Sequence, residues 1–331
     1  MNVLTSLRLG LASAFEVDDK VLLLGEDVLD PYGGAFKVTK GLSSAHPDRV
    51  ITTPISEGAI IGACCGLALR GLRPVAEIMF GDFITLCVDQ LVNHATKMHA
   101  MYNGLASVSM VVRTPMGGGR GYGPTHSQTL DKILLGTPSL TVVAPTHLHD
   151  PGQMLKNAIL EEGVFLFIEN KNMYNKDLFS KNGAIFSYCV TDEIFPIMGM
   201  SNCPLDQMAD VLLIGYGGSA LSIEESLLRL AEEEITARAI FPGVISPADV
   251  RPILPEVRNA EYVFVVDENT QGFGWASEIT ASIYEQSHSD LRHPILRICA
   301  RSDIIPAARH LEDRVLITAE RLLSEIWGVM L

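Results

Sequence analysis

The sequence predicts an α/β protein with two doubly wound domains, at 1–185 and 209–331, joined by a linker at 186–208. The first reason is length, because 331 residues exceed one average domain. The second is that short apolar segments, typical of buried strands, alternate with segments of helical spacing in both halves. The third is that this alternation stops after residue 170 and restarts near residue 210, which places the linker between them.

The first half contains the longer run of elements. Residues 4–17 have helical apolar spacing, and Asp150-Pro151 supplies the cap and first position of a later helix. Strands alternating with helices favour a mostly parallel sheet. The predicted strands are 21–28, 74–80, 107–114, 140–145 and 164–170, and the predicted helices are 4–17, one rich in small residues from 58, 82–102 and one from 151.

The second half repeats the alternation in a smaller domain. A strand and a helix that ends near residue 233 come first, and a helix closes the chain. The predicted strands are 210–217, 237–241, 262–269 and 294–300, and the later helices are 275–286 and 317–330. This half therefore also predicts an α/β domain.

The charge and hydropathy of the chain exclude some partners. It carries 25 lysine and arginine residues against 39 aspartate and glutamate residues, a formal net charge of −14, which argues against nucleic acid or an anionic membrane. The N-terminal residues lack the uninterrupted apolar core of a signal peptide. The most apolar stretch, 59–69, is about half the length of a membrane span. We therefore predict a cytoplasmic protein without a membrane segment.

Three loops carry candidate chemistry at the expected carboxyl ends of strands, where open α/β sheets bind ligands. Glu57, in TPISEG, stands where a strand meets the small-residue helix. The segment EIMFGDF offers Met79 and Phe83. The glycine loop, GGGRGYGPTHSQ at 117–128, contains His126, a candidate for proton transfer. The structural alternatives are an exposed first-turn glutamate, aromatic core packing and a mobile surface loop.

Two further patterns predict other kinds of site. GYGGSA at 215–220 follows a strand and opens a helix, as in a dinucleotide fingerprint, so an NAD-dependent oxidoreductase is an alternative from another class. The acid that binds ribose should end the next strand, but that strand is ARAIF. His147 and His149 could be metal ligands, but no further ligand cluster accompanies them.

Eight motifs follow one another in the first half of the chain. They are GEDV (25–28), YGGAFKVTKGL (32–42), TPISEGAIIG (53–62), GLRPVAEI (71–78), DFITLCVDQLVN (82–93), RTPMGGG (113–119), HSQ (126–128) and TPSLTVVAPT (137–146). Together they are similar to the β subunits of 2-oxo acid dehydrogenase E1 components of the pyruvate, branched-chain and acetoin type, within the transketolase-like superfamily. The resemblance implies a transketolase-like pyrimidine-binding domain followed by a transketolase C-terminal-like domain.

The resemblance implies roles for individual residues. Glu57 corresponds to the glutamate that hydrogen-bonds N1′ of the aminopyrimidine of thiamine diphosphate, which activates the cofactor for decarboxylation of a 2-oxo acid. Met79 and Phe83 match positions that line the pyrimidine pocket. His126 matches the active-site histidine, which contacts the substrate-derived intermediate or assists acyl transfer. A potassium ion is implied at the backbone carbonyls of four residues, Met110, Ala158, Glu161 and Gly163.

The resemblance also implies a second chain. In this family, the α subunit carries the GDG motif and the asparagines that hold the diphosphate through Mg²⁺, and here only GDF (81–83) is present. We therefore expect an active site between the chains of an α₂β₂ heterotetramer, with Mg²⁺ held mainly by the α partner. The acyl unit would pass to a lipoyl group on an E2 protein. The alternative is a stand-alone αβ carboligase or acyl-transfer enzyme of specialised metabolism.

Parts of the chain differ from the family pattern. The differences lie at ENKNMYNKD after the strand at 164–168, at 237–249 and in the tail at 301–315. They bear on the substrate and on docking to an E2 protein rather than on the cofactor. A catalytically silent structural subunit is a third alternative, but Glu57, Phe83 and His126 together argue against it.

Overall fold

The computed structural model describes residues 1–330, and its strands form two seven-stranded sheets. This architecture confirms the predicted α/β class. The strands of the first half are β1 Val21–Gly25, β2 Val50–Thr52, β3 Arg73–Glu77, β4 Met110–Met116, β5 Leu140–Val143 and β6 Val164–Asn170. The other strands are β7 Lys181–Asn182, β8 Ile185–Thr191, β9 Ile197–Ser201, β10 Ala209–Ile214, β11 Ala237–Pro242, β12 Val244–Ser246, β13 Ala260–Thr270 and β14 Leu296–Ala300.

The first sheet has the strand order β12-β5-β6-β4-β3-β1-β2 and is parallel except for β12. Strands β1, β4 and β6 are buried along their whole length, which explains their nearly continuous apolar sequences. From β1 the chain passes to β2 on one side and then to β3 on the other side. The strand order therefore reverses between β1 and β3, and a crevice is expected beyond their carboxyl ends.

The second sheet has the order β14-β13-β10-β11-β9-β8-β7, and its last three strands are antiparallel. Strands β8 and β9 occupy much of the predicted linker at 186–208, so this segment is part of the sheet rather than irregular chain. The sequence pattern misses β8 because its residues are mostly half-buried and a bulge between Cys189 and Thr191 interrupts the period of two. The position of the domain boundary stays a prediction.

Helices cover both faces of the first sheet. Helices α1 and α5 pack against one face, and α3 packs against the other. Helix α1 crosses α5 so closely that a Cβ atom on Gly10 would lie 2.0 Å from the carbonyl oxygen of Gly152. As predicted, the Asp150 side chain caps α5 by accepting from the N–H of Gln153. The helices are α1 Val3–Val17, α2 Leu42–Ala45, α3 Glu57–Leu69, α4 Met98–Met101, α5 Pro151–Leu160, α6 Ser219–Glu232, α7 Leu254–Arg258, α8 Trp275–Ser287, α9 Arg309–Val315 and α10 Ala319–Met330.

The regular helix predicted at 82–102 is wrong in detail. The segment starts as a 3₁₀-helix at Gly81–Cys87, continues as a π-helix at Gln90–Ala95 and ends in α4. Apolar spacing alone does not separate these helical forms, whose hydrogen-bond patterns depend on what each turn packs against. Within residues 1–330, no helix combines the length and the apolar character that crossing a membrane requires.

A buried ion-pair network joins three neighbouring strands of the first sheet. Arg113 on β4 hydrogen-bonds Glu77 on β3, and its Nε and Nη2 atoms donate to the two carboxylate oxygens of Glu169 on β6 at 2.7 and 2.6 Å. The hydroxyl of Tyr174 donates to the same carboxylate at 2.6 Å. Burial lowers the pKa of Arg113, but Glu169 and Glu77 raise it by more, so the guanidinium stays charged.

Candidate functional site

The candidate site lies at the edge of the first sheet, beyond the carboxyl ends of β1 and β3. Glu26 directly follows β1, and Glu57 is the first residue of α3, a few residues after β2. Phe80 comes soon after β3, the glycine loop (117–128) follows β4, and Lys171 follows β6. Because these strands are parallel, their carboxyl ends lie at one edge of the sheet. This edge therefore collects the predicted residues Glu57, Met79, Phe83 and His126.

Two buried carboxyl groups form the acidic part of the site. Glu57 and Glu26 are only 6 % and 7 % exposed, so the alternative of an exposed first-turn glutamate at Glu57 is wrong. Burial raises the pKa of Glu26, and the nearby Glu57 carboxylate raises it further. The Oε1 atom of Glu26 is buried and has no hydrogen-bond partner among residues 1–330. The raised pKa favours the protonated form of Glu26, and its unpartnered oxygen atom can hydrogen-bond a polar group of a ligand.

Aromatic rings form the second part of the site. The ring of His126 meets Phe83 edge-on, with 5.3 Å between centroids, and Phe80 edge-on at 4.8 Å. All three side chains are half-buried, and Met79 is half-buried in the bend just before Phe80. The Nδ1 atom of His126 lies 3.0 Å from Oγ1 of Thr125. The structure therefore places Phe83 and His126 in contact, and Phe80 completes the group.

Lys171 is a candidate site residue that the sequence analysis missed. Its Nζ atom donates to the carbonyl oxygen of His126 at 2.8 Å and lies 5.3 Å from the centroid of the Phe80 ring. The side chain is fully buried, and burial lowers the pKa of Lys171 to about 8. A signal was present in the sequence, because this lysine directly follows a buried strand at the edge where ligands bind. Glu26, at the end of β1, carried the same signal.

The four positions predicted to hold potassium lie at the opposite edge of the sheet. Met110 begins β4, Gly163 precedes β6, and Ala158 and Glu161 lie near the end of α5. The N–H of Met110 donates to the carbonyl of Gly163 at 3.0 Å, and the guanidinium of Arg73 donates to the carbonyl of Glu161 at 2.9 Å. The carbonyls of Gly163 and Glu161 are thus already hydrogen-bonded, the second of them to a cation. A carbonyl has a second lone pair, so potassium ligation stays a prediction.

The dinucleotide fingerprint at 215–220 forms the turn before α6. The N–H of Gly218 donates to Oε2 of Glu268 at 3.1 Å. A Cβ atom at Gly218 would lie 1.9 Å from Nδ2 of Asn170 and 2.3 Å from Oε1 of Glu268. The helix N-terminus, where a pyrophosphate would bind, therefore faces a carboxylate of the chain itself. This arrangement argues against the NAD-dependent alternative.

Glu268 belongs to an acidic contact between the two sheets. The side chain of Asn170, at the end of β6, donates to both of its carboxylate oxygens at 3.3 and 3.2 Å. Burial and the nearby Asp131 raise the pKa of Glu268 to about 7. The side chain of Asp131 accepts a hydrogen bond at 2.6 Å from Tyr216, which lies just after β10 of the second sheet. The contact therefore depends on protonation near neutral pH.

We expect Glu268 to weaken the protein as the pH rises. Because its folded pKa lies above the ordinary value of 4.5, the native state binds more protons between pH 4.5 and about 7, and stability falls with rising pH. The free energy of unfolding, measured in urea, should drop by about 2 kcal/mol more for the wild type than for Glu268→Gln between about pH 5 and pH 8. A difference between the two proteins that does not vary with pH would contradict this reading.

Both halves of the chain match known protein families. Residues 1–176 match the family described as transketolase, pyrimidine binding domain, and residues 204–322 match transketolase, C-terminal domain. A solved split-gene transketolase, an inactive β4 tetramer, superposes with a TM-score of 0.74 at 16 % identity. The superposition spans 99 % of this chain and 98 % of the transketolase chain. The fold is therefore that of the transketolase-like proteins.

Curated relatives narrow the family further. The β subunit of acetoin:2,6-dichlorophenolindophenol oxidoreductase from Cupriavidus necator is 33 % identical, in an alignment that spans 93 % of this chain and 90 % of that subunit. Pyruvate dehydrogenase E1 subunit beta-1 of Arabidopsis thaliana is 33 % identical, and the alignment spans 98 % of this chain and 87 % of that subunit. The 2-oxoisovalerate dehydrogenase subunit beta of Bacillus subtilis is 31 % identical with 97 % and 96 % covered. The chain belongs to the family of E1 β subunits of 2-oxo acid dehydrogenases.

Proposed function

We propose that this chain is the β-type subunit of a thiamine-diphosphate-dependent 2-oxo acid decarboxylase, which passes the acyl unit to a lipoyl acceptor. The observation that carries the proposal is the buried pair Glu57 and Glu26 at the same edge of the first sheet as the half-buried aromatic rings. A buried carboxyl can hydrogen-bond a ring nitrogen, and an aromatic face suits a heteroaromatic ring. Relatives named for pyruvate and 2-oxoisovalerate support a 2-oxo acid as the substrate class.

Each site residue has a proposed role toward the cofactor. Bound thiamine diphosphate would supply a carbon nucleophile and an electron sink for the loss of CO₂. Glu57 would hold and exchange a proton at N1′ of the aminopyrimidine, and Met79 and Phe83 would hold that ring. His126 would serve as a hydrogen-bond or proton donor to the substrate. Lys171 holds the backbone of His126 by its hydrogen bond to the carbonyl.

A second chain is proposed to cover this site. Apolar side chains near Glu57 face solvent, with Ile55 83 % exposed and Leu86 60 % exposed. Exposed apolar groups beside a buried acid suit a protein interface. The acid of the GDF fragment, Asp82, is buried, and its Oδ1 atom accepts from Nε2 of Gln128 at 2.8 Å. We therefore assign the diphosphate and Mg²⁺ mainly to an α-type partner, in an α₂β₂ assembly.

Similarity to the curated relatives does not distinguish between substrates or between acceptors. Relatives named for acetoin, pyruvate and 2-oxoisovalerate match at 31–33 % identity over at least 93 % of the chain. A stand-alone carboligase differs from an E1 component only in the acceptor it uses. Assays of the αβ complex with a panel of 2-oxo acids, with a lipoylated E2 domain or an aldehyde as acceptor, distinguish the two.

Calorimetric titration of thiamine diphosphate and Mg²⁺ tests the proposal. The titrant goes into the β chain alone and into the complex with its α-type partner. We expect tight binding, with Kd in the micromolar range (~1 μM, about −8 kcal/mol), in the complex only. Equally tight binding to the β chain alone would contradict the shared site. No binding to a verified αβ complex would contradict a thiamine-dependent function altogether.

A further inference from the structure

The glycine loop (117–128) lacks regular secondary structure apart from isolated turns. Four of its glycines have positive φ, a backbone conformation that glycine adopts without the steric cost that other residues meet. Contacts from outside the loop hold it at separate points. The Nδ2 atom of Asn172 donates to the carbonyl of Gly118 at 2.6 Å, and Lys171 donates to the carbonyl of His126 at 2.8 Å. Both of these residues directly follow β6, in the same half of the chain as the loop.

Glu312 holds the loop from the other half of the chain. It lies on α9, and its Oε1 and Oε2 atoms accept from the N–H groups of Gly119 and Gly121 at 2.7 and 2.9 Å. The φ angles of these glycines, +89° and +70°, are left-handed. Alternating backbone of this kind turns successive N–H groups toward one anion, which here is a carboxylate of the protein. The Glu312 side chain is fully buried, so water does not compete for these hydrogen bonds.

We propose that Glu312 is a positioning residue that holds the glycine loop, and through it His126, against Phe80 and Phe83. The role of His126 in this statement rests on the proposed function, whereas the contact to the loop does not. Only five positions separate Gly121 from His126, so a change at Gly121 is passed along a short stretch of chain. Glu57 and Phe83 stand on elements outside the loop, Glu57 on α3 and Phe83 in the 3₁₀-helix Gly81–Cys87.

The contact needs both carboxylate oxygens. Glutamine at position 312 has one acceptor oxygen, and its NH₂ group would face the second glycine N–H, donor against donor. A buried N–H group without a partner is costly, so the loop should leave this position more often. The affinity for thiamine diphosphate should change little, because Glu57, Met79 and Phe83 lie outside the loop. Turnover should fall, because His126 lies within it.

Trypsin reports the state of the loop directly, because Arg120 lies between the two held glycines. In the αβ complex, we expect Glu312→Gln to be cleaved after Arg120 about tenfold faster than the wild type. We expect its kcat to fall about tenfold, with the Kd for thiamine diphosphate within about twofold. The matched control is Asp313→Asn, which removes a charge from the adjacent exposed residue and should change none of these values. If Glu312→Gln does not fold, Glu312→Asp, which keeps the charge but is one methylene shorter, replaces it with the same expected directions.

Each outcome decides one part of the proposal. Unchanged cleavage after Arg120 would mean that Glu312 does not hold the loop. Faster cleavage with unchanged kcat would mean that the loop is held but that His126 does not depend on it. Either result overturns the positioning role. If the complex shows no thiamine-dependent activity at all, the proposed function fails, and cleavage after Arg120 still decides whether Glu312 holds the loop.

Discussion

Replacing Glu57 by glutamine is expected to remove most of the decarboxylase activity while the αβ complex stays assembled. Glutamine has nearly the same shape and can still hydrogen-bond a ring nitrogen, but it cannot exchange a proton with it. General acid–base groups typically contribute about 10²- to 10⁴-fold, so kcat should fall by a factor in that range. The Kd for thiamine diphosphate should change far less. Steady-state kinetics with an artificial electron acceptor measures this without an E2 protein.

The matched control for Glu57 is another first-turn glutamate. Glu320 lies in the first turn of α10, where it is exposed and pairs with Arg229. Glu320→Gln should leave kcat within about twofold of the wild type, because the change touches only a surface ion pair. If Glu57→Gln were equally active, Glu57 would be a structural residue at a helix N-terminus. The assignment of the pyrimidine site to this crevice would then be wrong.

Replacing Arg113 by methionine is expected to lower the free energy of unfolding by about 3–5 kcal/mol, since removing one partner of a buried ion pair leaves the other charge uncompensated. Here two carboxylates, Glu77 and Glu169, lose their shared guanidinium in the centre of the first sheet. Burial already raises the pKa of Glu77, so without Arg113 its charged form becomes still less favourable. Urea denaturation followed by circular dichroism measures the loss. Methionine fills most of the space, so a cavity contributes little.

Arg229 provides a control, because it also forms ion pairs with two glutamates but lies at the surface. It also lies between two glutamates, Glu225 at 2.5 Å and Glu320 at 2.9 Å, but its side chain and theirs are exposed. Arg229→Met should lower the free energy of unfolding far less than Arg113→Met, because exposed ion pairs are screened by water and contribute little. Equal losses in Arg113→Met and Arg229→Met would show that burial does not govern the energy of these networks.

Local sequence patterns, namely apolar periodicity and the signals that end helices and strands, predict most of the fold. Strand β6 matches its predicted residues, 164–170, and α1 and α8 match within one residue at each end. These elements are short apolar runs or amphipathic helices with clear ends, so their signals lie within a few residues. The sequence pattern misses the strands β8 and β9, which occupy much of 186–208, because β9 is held in the sheet by pairing with β11, which lies further along the chain. Pairing of this kind leaves a weak local pattern.

The site divides in the same way. Glu57, Phe83 and His126 could be predicted because each stands in a motif at a strand end, and the resemblance of those motifs to a family supplied their roles. The pairing of Glu26 with Glu57 could not be predicted, because it depends on the adjacent places of β1 and β2 in the sheet. The contact of Lys171 with His126 likewise depends on how β6 lies beside β4.

The sequence by itself determined which elements form and which chemical groups stand at their ends, because period, capping and turn residues act over a few positions. Only the tertiary structure decided which of those groups meet. Glu312 is the clearest case, since 191 positions separate it from Gly121, whose N–H donates a hydrogen bond to the Glu312 carboxylate. In the sequence it is one more glutamate in the tail. Burial of its carboxylate against two left-handed glycines, across the boundary between two sheets, is what makes it a candidate part of the site.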